Sequence, residues 1–138
     1  MVADAETRGV NVSQRGAFLA LQEQLSHAPV IVVGGVADNV KIREIVQRTG
    51  VEVEWISLEV SRSARVVEPL EKRIRNQNVA AIIFAEGLMA HKEYNPLMAA
   101  TRQAGIPVAY AKRAGLTSLI QALEILDGFF AVRAAVPA

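Results

Sequence analysis

Four short aliphatic runs, each followed by a stretch of helical periodicity, constrain this chain more than any other feature. Val30 to Val33 is unbroken and β-branched. Val51 to Trp55 alternates apolar and acidic residues before Ile56, Val79 to Phe84 is again nearly all apolar, and Pro107 to Ala111 is the fourth. Continuous β-branched runs read as strands buried on both faces, which occur in parallel sheets covered by helices. Strict alternation, as in Val51 to Ile56, reads as a strand with one wet face, at a sheet edge. Strand–helix alternation with crossovers of this length requires parallel pairing and right-handed connections. The expected fold is therefore α/β: a three-layer sandwich with a four-stranded parallel sheet of order 2-1-3-4, flanking helices and an extra N-terminal helix.

The helices are read from stripes and punctuation. Ser13 to His27 carries Ala17, Phe18, Leu21 and Leu25, with Ser13 as cap and Pro29 as stop. Asp38 caps a helix with Ile42, Ile45 and Val46 inward, and Gly50 ends it. A third helix is expected from about Val66 to Asn76, with Pro69 tolerable only in its first turn. Asn95-Pro96 is read as the start of a fourth, running to Gly105. Leu116-Thr117 opens the last, with Leu119, Ile120, Leu123 and Leu126 as its stripe and Gly128 as its end. Residues 1–12 are read as a flexible N-terminus, 13–128 as one domain and 129–138 as an apolar tail.

Composition bounds the partners. At 138 residues the chain is the size of one domain, which buries roughly 68–70% of its unfolded surface. A net charge of +1, from 15 basic and 14 acidic residues, is no footprint for nucleic acid. With no cysteine, thiolate catalysis and thiolate metal sites are excluded. The first residues show no signal-peptide pattern, and the longest uncharged, mostly apolar stretches, such as Ala28 to Ala37, are half of the about 20 residues a membrane span needs. A cytoplasmic protein without a membrane partner is expected.

Ligands of open α/β sheets bind at the carboxyl ends of the strands. Gly34 and Gly35 follow the first strand; Glu86, His91, Lys92 and Tyr94 follow the third; Lys112, Arg113 and Ser118 follow the fourth. The glycines permit a tight turn and close backbone approach, but G-G-V-A-D-N is neither a dinucleotide fingerprint nor a phosphate-binding loop, and they also serve as a plain turn. His91 is a candidate for orienting an anion or moving a proton. With two histidines at no ligating spacing, no metal is called for, and no cofactor either. Lys112 and Arg113, with a Ser/Thr-rich helix start beyond, make an anion cradle or a solvated turn. Catalytic templates fail: there is no G-x-S-x-G elbow, and the acidic positions of a phospho-receiver hold Gly-Gly and Ala-Glu.

The residues Ile31-Val32-Val33-Gly34-Gly35, His91, Ile106-Pro107-Val108-Ala109-Tyr110, Lys112-Arg113 and Leu116-Thr117-Ser118-Leu119 resemble the bacterial "domain of unknown function 2325" family over about residues 30–126. The resemblance implies a small Rossmann-like domain and leaves His91 and Arg113 as candidate site residues. In this chain the third strand runs into Ala85-Glu86-Gly87, where the family pattern has Asp or Thr.

Three functional classes follow. The leading one is a non-catalytic regulatory or ligand-sensing domain that binds a small anionic or nucleotide-like molecule at Gly34, Gly35, His91, Lys92, Lys112, Arg113 and Ser118. The second is an assembly protein, a dimer or larger homo-oligomer joined through Phe18, Leu21, Leu25, Phe129 and Phe130, since spare apolar surface marks interfaces. The third is an enzyme with His91 as general acid/base and Glu86 or Tyr94 as companion; no activated nucleophile supports it.

Overall fold

A computed structural model describes residues 18–58 and 63–135. Its elements are α1 (Leu19–Gln24), β1 (Val30–Val33), α2 (Asn39–Thr49), β2 (Val53–Ile56), α3 (Ser63–Arg75), β3 (Ala81–Glu86), α4 (His91–Ala104), β4 (Val108–Lys112) and α5 (Leu116–Ala135). The four strands form one parallel sheet in the order β2-β1-β3-β4, with helices on both faces. The expected α/β class and strand order are those observed. The alternating strand β2 is an edge, and the unbroken runs β1 and β3 are central.

Strand alternation divides the core in two. Val30, Val32, Ile83, Ala85, Ala109 and Ala111 face α1, α2 and α5. Ile31, Val33, Ile82 and Phe84 face α3 and α4. Four side chains of β1 and five consecutive ones of β3 are almost wholly buried, each contributing roughly 1.5–3 kcal/mol where it is a large aliphatic or aromatic group. Small residues at Ala85, Ala109 and Ala111 leave room for Leu119, Leu123 and Leu126 of the long helix α5.

Asp38 caps α2 as its position suggests, its Oδ1 accepting from the N–H groups of Val40 (3.0 Å) and Lys41 (3.2 Å). At the other end Thr49 is buried. Its Oγ1 donates to the Ile45 carbonyl and accepts from the Val51 N–H, fixing the entry to β2.

Four helix boundaries differ from the sequence expectation, the first being α1, which ends at Gln24 rather than His27. α4 begins at His91, not Asn95, because Glu93 Oε1 accepts the Ala90 N–H at 2.9 Å and closes the first turn early. Pro96 then lies inside the helix, where its missing N–H leaves only the carbonyl of exposed Lys92 without a helical donor. α3 begins at Ser63, so Pro69 is also interior and costs the bond to exposed Arg65. α5 continues through Gly128 to Ala135, so residues 129–135 are helix rather than tail. An interior glycine costs about 1 kcal/mol. Burial of Leu126 and Phe130 on either side contributes roughly 1.5–3 kcal/mol each and outweighs it. Ser13, the N-terminal 1–12 segment and residues 136–138 lie outside the described residues. No described helix is long and apolar enough to cross a membrane.

Candidate functional site

The carboxyl ends of β1, β3 and β4 each open into a turn. After β1, Gly34 and Gly35 have φ of 121° and 67°. The turn is tied to the edge strand: Gly34 N–H donates to the Ile56 carbonyl, Leu58 N–H to the Gly35 carbonyl, and the Trp55 indole N–H to the Gly34 carbonyl at 3.0 Å. A Cβ on Gly34 would sit 2.9 Å from the Ala85 Cβ and 3.0 Å from the Met89 Cγ; one on Gly35 would sit 2.9 Å from the Leu88 Cδ1. The space that these glycines free is filled by the end of β3 and the loop after it. Their role is to let two loops of the protein pack together, and Gly34 is buried.

The turns after β3 and β4 adjoin. Arg113 N–H donates to the Glu86 carbonyl at 2.7 Å, and a Cβ on Gly87 would meet the Arg113 Cγ at 3.6 Å. Arg113 (φ 51°) and Ala114 (φ 53°) are both left-handed, and Gly115 N–H returns to the Lys112 carbonyl at 3.2 Å. Two successive positive φ angles with that bond are the pattern of a primed turn, normally built from Asn and Gly. Two non-glycine residues there cost about 1–2 kcal/mol each. Lys41 of α2 buttresses the turn, its Nζ donating to the Ala114 carbonyl at 3.1 Å.

The helix starts after β1, β3 and β4 differ in charge, while α3, which starts after β2, has no acidic residue in its first turn. Asp38 occupies the N-terminus of α2 and buried Glu93 that of α4, so each already has a carboxylate in its dipole. The first turn of α5 contains no acidic residue and carries Thr117 and Ser118. Among the expected site residues, Lys112, Arg113 and Ser118 therefore share one turn and helix start, with both basic residues exposed and Ser118 half-buried. His91 is the first residue of α4 and Lys92 is exposed beside it, at the helix start that Glu93 occupies. Gly34 and Gly35 are packed from the β3 side.

Of the five residues expected at an interface, Phe18, Leu21 and Phe130 are buried in the chain's own core, and Leu25 packs on that core. α1 and the second half of α5 cover the same sheet face, which accounts for this. Phe129 is exposed.

Sequence reasoning passed over an aromatic pocket of about 140 Å³ beside the Arg113 turn, lined by Phe84, Ala85, Glu86, Gly87, Met89, Tyr94 and Tyr110. The Tyr94 and Tyr110 hydroxyls share a hydrogen bond of 2.8 Å. Phe84 meets Tyr94 edge-on at 5.1 Å and lies 6.0 Å from Tyr110. The Tyr110 phenol is pushed up to about 12, first by burial and then by its bond to Tyr94. The register places Phe84 beside Tyr110 and Glu86 beside Lys112. The available signal was positional: Phe84 and Tyr110 are the aromatic residues near the ends of two successive strands.

A larger cavity, about 550 Å³, lies at the opposite end of the sheet, among His27, Gln77, Ile106, Phe130 and Arg133. It collects the amino ends of strands, the end where parallel α/β sheets do not bind their ligands. No family model matches the chain, and no curated protein matches it.

Proposed function

We propose that this chain is a ligand-binding regulatory domain, related to the family it resembles, which holds a small anionic or nucleotide-like molecule at the rim. The anion lies on Lys112 and Arg113 and against the first turn of α5, with Ser118 as a further donor. The observation that carries this reading is the Arg113–Ala114 turn. It retains two left-handed non-glycine residues beside a helix start that, unlike those of α2 and α4, holds no carboxylate of its own. Strain of this kind clusters at ligand clamps. A thermal-shift series with inorganic phosphate, nucleotides and sugar phosphates tests it. A ligand at about 100 times its Kd should add about 2.7 kcal/mol of stability, and Arg113→Ala should abolish that gain. Equal stabilisation of both proteins, or none by any member, overturns the reading.

A second reading, self-association, is favoured by one observation. Ile125, Phe129 and Val132 of α5 are 64%, 47% and 67% exposed at helical spacing, and Leu19 is 59% exposed on the neighbouring α1. The occupant would be a second copy, through a two-fold interface. Light scattering should then give a dimer mass that Ile125→Ser with Phe129→Ser reduces to the monomer. A monomer at micromolar wild-type concentration overturns it.

A further inference from the structure

We propose that the pocket of Phe84, Tyr94 and Tyr110 binds a compact organic cation of the methylated-ammonium class, with Glu86 as its counter-ion. This goes beyond the anion site and stands independently of it. Size limits the occupant first. A cavity of about 140 Å³ is close to the engineered cavity of about 150 Å³ that takes a single benzene, and well below the roughly 300 Å³ at which sites for larger ligands begin. One six-membered ring or one tetra-substituted ammonium fits.

Lining chemistry decides between those two. The walls are three aromatic rings, a thioether and two small residues, and Glu86 is the single charged residue that lines the pocket. Aromatic faces carry the negative end of the ring quadrupole, and a cation within about 6 Å of the ring centroids is attracted to them. A neutral heterocycle needs paired donors and acceptors along its edge, and the bond between the two phenols leaves a single O–H of theirs to donate. The aromatic rings and the Glu86 carboxylate of the lining favour positive charge.

The cage is also preorganised. The hydroxyl bond holds Tyr94 of α4 to Tyr110 of β4, and Phe84, 1% exposed, is fixed behind them. Rings already in place reduce the ordering cost of binding. Burial and the bond to Tyr94 raise the Tyr110 phenol most; Glu86 adds to the rise, and Arg102, which does not line the pocket, acts the other way. Lys112, in register with Glu86, is the internal rival for its carboxylate.

The test uses choline and tetramethylammonium as probes, titrated at low salt and followed by the aromatic proton signals of tyrosine and by calorimetry. A trimethyl-lysine peptide distinguishes a side-chain source from a free cation. Saturable binding is expected, with the neutral choline isostere, carbon in place of nitrogen, weaker by about tenfold or more. Glu86→Gln and Tyr110→Leu should each weaken choline several-fold, while Tyr110→Phe, which keeps the ring, retains most of the affinity. Lys112→Gln should tighten choline while weakening any phosphate ligand, so the two sites can fail separately. No saturation by any cation, equal affinity for the isostere, or undiminished binding by a folded Tyr110→Leu protein overturns the proposal. So does preference for a neutral pyrimidine.

Discussion

Gly34–Gly35 and Arg113–Ala114 leave the same edge of the sheet with two successive residues at positive φ. The first turn uses glycine, and its missing side chains are replaced by Ala85 of β3 and by Leu88 and Met89 of the loop after it. The second uses residues that disfavour the conformation, and it displays Arg113 to solvent. Glycine therefore marks a place where the chain packs against itself. The position that bears strain without glycine is the one that presents a charged group, and it is the stronger pointer to a ligand.

The largest expected effect is at the first turn. Gly34→Ala puts a Cβ 2.9 Å from the Ala85 Cβ at a φ of 121°, so overpacking and backbone strain add. A loss of about 3 kcal/mol or more in urea unfolding is expected. A loss under about 1 kcal/mol would show that the loop after β3 yields, and the contrast between the turns would collapse. The second turn should respond with the opposite sign. Arg113→Gly relieves about 1–2 kcal/mol of left-handed strain and adds about 0.5–1 kcal/mol of chain entropy cost, for a net gain near 1 kcal/mol. A destabilised variant would mean that the Arg113 side chain holds the turn together.

Gly128 sharpens the contrast as a glycine of neither kind. It is exposed within α5, and nothing lies within 4 Å of an added Cβ. Gly128→Ala should stabilise by about 0.5–1 kcal/mol, read as a rise in Tm. The smallest effect belongs to Tyr110, two residues before the strained turn's Lys112. Its folded pKa is raised from 10.0 to about 12, so its contribution is fully present below pH 10 and is lost as pH rises through about 12. Solvent screening of this part-exposed phenol limits the loss to well under 1 kcal/mol. Tyr110→Phe should remove that increment of alkaline sensitivity in a pH series of unfolding curves.

Local features were legible and crossings between loops were not. The β-branched run of β1, the Asp38 cap and the alternation of β2 state their own structure within a few residues. Asn95-Pro96 misleads because the helix start is set by Glu93 reaching back to Ala90, which outweighs the local signal. Gly128 misleads for a similar reason, since Phe130 is held by α1 and the core, far away in sequence. The rim as a whole follows from topology, and Lys112, Arg113 and Ser118 do lie on one turn and helix start. The crowding at Gly34 and the bond between Tyr94 of α4 and Tyr110 of β4 depend on how side chains of different elements meet, and strand order alone does not specify that.

The closure of α1 by α5 sets a schedule for synthesis. Leu21 N–H donates to Asp127 Oδ1 at 2.9 Å across 106 residues of sequence, and Phe18 and Phe130 share one core. The face under α3 and α4 has all its helices once the ribosome has passed Ala104. The other face keeps Ile83, Ala109 and Ala111 without their α5 cover until residues 105–135 have been made, roughly 1.5–6 s at about 5–20 residues per second. During that interval the nascent chain is a half-covered sheet with two open edges, the state in which a chaperone, or an unwanted second strand, has its opportunity.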